Sequence, residues 1–235
     1  MRIAVSSSTF RRPLASGELT QLEWVERCAS LLGVDGVVAD AAGFPRTDGE
    51  YVAQLRKIAI DLGVVPFGID GGSLFDASCS DGARETALAL ARGFGAAVLR
   101  TVLPPPGDVP PATFAEAVRV AKAFARAAKT ANVTAIVRSA PGTLGADAAS
   151  VKHFVKDVDS AWLRACPGVL EELGARDRVP AFAASADDRA PDVADRAERR
   201  WVILDATPGG DPWDRAADAI TALRRADAER LLARA

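Results

Sequence analysis

Three arginines, Arg100, Arg138 and Arg164, end or nearly end three consecutive apolar runs, and they form the chemically richest pattern in the chain. A guanidinium offers a planar fork of N–H donors that meets carboxylate or phosphate oxygens two at a time. Convergence of at least two of them on one pocket would select an anionic ligand. Two carboxylates stand at comparable places, Asp40 after Gly36-Val37-Val38-Ala39 and Asp205 after Trp201-Val202-Ile203-Leu204. These are the candidates for general acid and base work, in which a carboxylate moves a proton beside a sugar hydroxyl or carbonyl. An aspartate that ends a strand also commonly caps the next turn. The hydroxyls of Ser6, Ser7 and Ser139 are suitable hydrogen-bonding neighbours, whereas Asp70, followed by Gly71-Gly72, reads as a turn residue.

Metal ligands and activated nucleophiles are sparse. The single histidine, His153, sits in a helical stretch between Lys152 and Phe154, so no Ser-His-Asp or Cys-His arrangement is expected. Cys28, Cys79 and Cys166 are far apart and show no C-x-x-C spacing, which speaks against a disulfide framework or a zinc knuckle. A few carboxylates without histidine partners would hold magnesium only weakly, although hard cations do prefer oxygen. No metal ligand is therefore assigned.

The elements that must position these groups alternate along the chain. Short apolar, β-branched runs at 3–7, 36–40, 64–69, 97–102, 133–138, 162–166, 179–183 and 201–205 read as strands. Their near-continuous hydrophobicity is that of parallel strands buried on both faces. Between them lie helical-period segments with their own punctuation. Thr20 with Glu23 and Thr113 with Glu116 match capping boxes, and Asp211-Pro212 matches an N-cap and first turn. Gly33, Gly63 and Gly95 stand where a helix ends and the next strand begins. The unit at 168–178 is shorter than the early ones. Segments 104–107 (Pro-Pro-Pro-Gly, with Pro110-Pro111 close behind) and 186–191 read as loops on the active face, where strand C-termini converge. Eight such units close into a (β/α)8 TIM barrel, slightly abbreviated late in the chain, as one domain over 1–235. An open doubly wound sheet is the alternative, but Ser6-Ser7-Ser8-Thr9 occupies the place of a glycine-rich phosphate loop and no G-x-G-x-x-G is present.

Composition narrows the function classes. With 49% apolar residues and a net charge of -2, the chain can bury a large core and carries no excess of either sign. Its basic residues are scattered and not interleaved with aromatics, so neither a nucleic-acid partner nor a membrane is expected. No apolar run reaches the ~20 residues of a membrane helix, and the opening lacks a signal-peptide pattern, which makes a cytoplasmic protein the expectation.

The segments Met1-Arg2-Ile3-Ala4-Val5-Ser6-Ser7, Leu14-Ala15-Ser16-Gly17-Glu18-Leu19-Thr20 and Leu32-Gly33-Val34-Asp35-Gly36-Val37, followed in order by Gly95-Ala96-Ala97-Val98-Leu99-Arg100, Asp159-Ser160-Ala161-Trp162-Leu163-Arg164 and Asp211-Pro212, resemble the xylose isomerase-like barrels of the sugar phosphate isomerase/epimerase family. The resemblance implies a divalent metal, Mg or Mn, held by Glu, Asp, His and Glu from successive strand ends, polarising a sugar carbonyl while a carboxylate takes the neighbouring proton. This chain departs from that pattern, with Val137-Arg138-Ser139 on the fifth strand, Cys166-Pro167 on the sixth and Phe182-Ala183 on the seventh; only Asp205 matches a carboxylate. The expectation is an isomerase/epimerase-like barrel with an eroded metal site and no cofactor. It would bind a small polyhydroxy or anionic molecule through Arg100, Arg138, Arg164, Ser6 and Ser139, with Asp40 and Asp205 for any metal-independent catalysis. A non-catalytic scaffold, ligand sensor or partner subunit, a homo-oligomer, and an active isomerase with unrecognised ligands stay open.

Overall fold

A computed structural model describes residues 1–168, 180–185, 187–198, 200–205 and 210–234. Among them, eight parallel strands run β1 Arg2–Ser6, β2 Gly36–Asp40, β3 Val65–Asp70, β4 Val98–Val102, β5 Thr134–Arg138, β6 Leu163–Cys166, β7 Ala181–Ser185 and β8 Trp201–Asp205. They pair in the order β6-β5-β4-β3-β2-β1-β8-β7. A parallel bridge between Gly168 and Ala183, with the Ala183 N–H donating to the Pro167 carbonyl at 2.9 Å, brings the two end strands together into a nearly closed (β/α)8 barrel. The helices around it are α1 Arg11–Ser16, α2 Gln21–Arg27, α3 Gly49–Asp61, α4 Asp81–Phe94, α5 Pro110–Ala131, α6 Ala148–Val158, α7 Ala190–Arg196 and α8 Pro212–Leu232. No helix among the described residues is long and apolar enough to cross a membrane.

The helix punctuation acts largely as the residue types require. Thr20 and Glu23 form the reciprocal capping box of α2, and Asp211 caps α8 through the backbone N–H groups of Trp213 and Asp214. Gly33 closes the π-helical turn Cys28–Leu32 that continues α2, and Gly95 closes α4, both in the left-handed conformation, at φ 55° and 78°. Thr113 and Glu116 are a correction. Helix α5 starts earlier, with Pro110 and Pro111 in a first turn that needs no N–H from them, so Thr113 already lies inside the helix and its hydroxyl donates to the Val109 carbonyl. Two segments read as loops also begin helices: Pro110-Pro111 opens α5 and Ala190-Pro191 opens α7. Strand β7 runs two residues later than the apolar run indicates, because a continuous apolar stretch does not mark its own ends; Val179 and most of the short unit at 168–178 lie outside the described residues.

Two apolar layers hold the barrel. Outward strand residues such as Val37, Ile69, Leu99 and Val137 pack with the helices into one large core. Inward residues Ala4, Val38, Phe67, Val98, Ile136, Cys166, Ala181 and Ile203 fill the barrel interior. Because side chains alternate along a strand, the residue two places beyond each inward apolar group also points inward, one layer nearer the mouth. That parity places Ser6 above Ala4, Arg100 above Val98, Arg138 above Ile136 and Asp205 above Ile203.

Toward the N-terminal end of the strands, Phe67 and Trp201 stack with centroids 4.2 Å apart. Gly36 makes room for them: a Cβ there would lie 2.8 Å from the Trp201 ring and 2.9 Å from the Val65 carbonyl oxygen. Overpacking of this kind costs about 1–3 kcal/mol. Gly36→Ala is therefore expected to lower the unfolding free energy by that amount, read as a lower urea midpoint at an unchanged slope.

Candidate functional site

The centre of the mouth is an ion cluster built from three strand ends. Asp70 and Arg100 are register partners on β3 and β4, and Asp205 reaches the same guanidinium from the end of β8. The Asp205 carboxylate is bound bidentately, with Nη1 and Nη2 each donating at 2.7 Å. Asp70 Oδ2 accepts from Nη2 at 2.7 Å and from Nε at 3.0 Å. Ser6 Oγ, at the end of β1, accepts from Nη2 at 3.1 Å. Arg100 is 1% exposed, against 16% and 20% for the side chains of Asp70 and Asp205, so the cation lies beneath and its two anions face the opening.

The electrostatics follow from this layering. Burial pushes the Asp70 carboxyl up, but the Arg100 charge, the Gly72 N–H on Oδ1 and the Arg138 charge together outweigh it and hold the group below the ordinary carboxylate range. Burial disfavours the charged form of Arg100, yet Asp205 and Asp70 overcompensate and its pKa rises. Cys166 lies near the same cluster with its thiol pushed up to about 12 by burial, which Arg100 and Arg138 oppose only in part. It is an uncharged member of the barrel core and not an activated nucleophile.

Arg138 differs from Arg100. It ends β5, is partly exposed, and its charge reaches Asp70 and Cys166. Its Nε is buried and, among the described residues, has no hydrogen-bond partner. A buried donor without a partner costs about 1–3 kcal/mol relative to a satisfied one, so a group that accepts from Nε has a standing advantage. Ser139 Oγ, one residue on, accepts from the Gly168 N–H at 3.4 Å and so helps join β5 to β6.

The remaining sequence candidates lie elsewhere. Arg164 shares the inward parity, but its Nη1 contacts the carbonyls of Ser160 and Leu163, which turns its head toward the N-terminal end of β6 and away from the mouth. Asp40 is not in the cluster: one oxygen accepts from Arg11 at 2.9 Å and the other caps the following turn through the Ala42 N–H at 3.0 Å. With Ser7, Arg11, Leu14 and Phe44 it lines a separate cleft of about 540 Å³ between the loops after β1 and β2. His153 lies on the outer surface of α6, stacked on Phe114. Sequence reasoning missed Asp70 as a site member, because its turn role is real and conceals the second one. The available signal was its position: it ends the strand next to the one carrying Arg100, at matching parity.

These residues do not fit a divalent metal. The carboxylates that converge at the mouth converge on a guanidinium, and the neighbouring strand ends supply Arg138 and a high-pKa thiol where oxygen or imidazole ligands would be needed. Among the described residues, no three His, Cys, Asp or Glu side chains group together as a cage.

A depressed carboxyl pKa contributes stability above its unfolded value, and that contribution is lost as the pH falls through the folded value. Unfolding stability is expected to drop below about pH 4. Asp70→Asn should flatten that acid limb while lowering stability at pH 7 by about 1.5–3 kcal/mol, as measured by urea melts across pH.

No protein-family model and no curated protein matches this chain. Solved structures do. A D-psicose 3-epimerase from Clostridium cellulolyticum H10, solved with D-tagatose, superposes with TM-score 0.73 at 14% identity over 97% of this chain and 99% of its own. A 3-keto-D-glucoside 4-epimerase from E. coli gives 0.74 at 11% identity over 96% and 99%. A xylose isomerase-like TIM barrel fused to a 4-hydroxyphenylpyruvate dioxygenase gives 0.66 at 13% identity, over 100% of this chain and 44% of that one. Identities this low carry the architecture only, and what they establish is that this chain has the fold of the xylose isomerase-like TIM barrels.

Proposed function

We propose that the barrel mouth binds a small polyhydroxy molecule bearing an anionic group, such as a sugar acid or sugar phosphate, without a divalent metal. The observation that carries this reading is the buried Nε of Arg138, which has no hydrogen-bond partner among the described residues and lies beside the Asp70–Arg100–Asp205 cluster. Nε and the adjacent Nη of a guanidinium form a side-on fork for two oxygens of one anion. Asp205 and Asp70 supply the complementary half. An ionised carboxylate has about four lone-pair sites. In Asp205 two of these meet Arg100, and the partly exposed remainder is open to ligand hydroxyls. The likeness to sugar epimerases supports the ligand class by analogy of fold, which by itself does not assign function.

Binding without turnover is favoured by one specific feature. Both oxygens of Asp205 are held by a cation, and Asp40 is engaged on both of its oxygens in a separate cleft. With both oxygens already accepting from Arg100, Asp205 has its remaining lone pairs available to orient ligand hydroxyls.

Thermal shifts with a neutral sugar, a sugar acid and a sugar phosphate test the reading. The two anionic compounds are expected to stabilise the protein more than the neutral one, and Arg138→Ala to weaken their binding by about 10-fold or more. An anion-induced shift that is unchanged in Arg138→Ala would remove the assignment. Incubation of stabilising sugars with the protein in D2O should leave their carbon-bound protons unexchanged by NMR; deuterium incorporation would instead mark a working acid/base pair.

A further inference from the structure

Nη2 of Arg100 is the geometric focus of the mouth. It lies 2.7 Å from Asp70 Oδ2, 2.7 Å from Asp205 Oδ1 and 3.1 Å from Ser6 Oγ. Three oxygens from three different strands thus surround one atom. A magnesium ion at that point would need oxygens at about 2.0–2.1 Å, so a contraction of roughly 0.6–0.7 Å at the two carboxylates and about 1 Å at Ser6 would turn the nest into part of a metal shell. The position is filled from within by a charge that cannot dissociate and, at any ordinary pH, cannot be lost.

We infer that the Arg100 guanidinium is a resident cation occupying the point on which the strand-end carboxylates converge, and that it closes the mouth to divalent metals. The inference rests on the proposed reading of the mouth as the ligand site and goes beyond it in naming what replaces a metal. The chain's own charges carry the case. Asp70 and Asp205 bring two negative charges into a largely buried site, and Arg100 and Arg138 bring two positive ones, so the cluster is neutral only with both arginines in place. With Arg100 in place, a divalent ion arriving from the opening meets carboxylates whose charge is already shared with the guanidinium, and it could take the point between them only by expelling a buried cation held by five contacts. Without Arg100, the same two carboxylates and the Ser6 hydroxyl would face one another across a vacant centre, which hard cations of the size of Mg²⁺ or Mn²⁺ suit.

The test compares the native protein with Arg100→Gln by circular-dichroism melting, with and without millimolar MnCl2 and with no organic ligand present. The native melting temperature is expected to be unmoved by Mn²⁺, and the electron paramagnetic resonance signal of free Mn²⁺ to persist at full intensity beside it. Arg100→Gln is expected to melt roughly 10 °C lower, because it leaves two carboxylates uncompensated, and to recover several degrees when Mn²⁺ is added. If Arg100→Gln fails to fold, the triple variant Asp70→Asn/Arg100→Gln/Asp205→Asn, which removes the charges that the guanidinium balances, should restore soluble protein with no response to Mn²⁺. Stoichiometric capture of Mn²⁺ by the native protein overturns the inference. So does an Arg100→Gln protein that melts like the native one, one that gains nothing from Mn²⁺, or a triple variant no more soluble than an unfolded single. None of these results bears on Arg138, whose role is read separately from anion shifts.

Discussion

A single buried guanidinium organises the mouth of this barrel. Arg100 lies at the centre of three strand ends, and its five contacts fix Asp70, Asp205 and Ser6 in one arrangement. Burying such a charge is tolerable only because two carboxylates meet it with near-ideal geometry; removal of one side of a buried pair typically costs 3–5 kcal/mol, a large part of the ~5–15 kcal/mol that a domain has in total. The rest of the mouth is arranged around that requirement. Asp70 is held below the ordinary carboxylate range although burial opposes it, Cys166 beside the cluster stays a neutral thiol, and Arg138 supplies the second positive charge.

Much of this was legible in the chain. The alternation of β-branched runs with capped helical segments leads directly to eight parallel strands in a barrel, and period-two parity explains why Arg100, Arg138 and Asp205 point inward. What the residues could not reveal is how far along the barrel axis each head travels. Arg164 has the same parity as Cys166, yet its long flexible stem lets the guanidinium turn back to the Ser160 carbonyl. Asp40 ends its strand as Asp205 does, but a cation from the preceding unit, Arg11 at the start of α1, draws its carboxylate away from the centre. Asp70 was hidden by a competing role: one oxygen makes the turn to Gly72 while the other makes the ion pair. Capping chemistry failed once, at Thr113, where two prolines begin the helix before the threonine does.

The fold and the site point in different directions, which is informative in itself. The architecture is shared with sugar epimerases, but shared architecture hosts many chemistries and the strand ends decide among them. Here those ends hold a closed charge cluster with one partly buried, under-satisfied arginine beside it. We propose that such a mouth recognises oxygen-rich anions, with its carboxylates holding ligand hydroxyls.

A crystal structure of the native protein grown in excess MnCl2, with an anomalous difference map at the manganese edge, tests the central claim most directly. The account predicts the Arg100 guanidinium between Asp70 and Asp205 with no anomalous peak in the mouth. A peak within coordination distance of either carboxylate, with Arg100 swung out of its place, would contradict it.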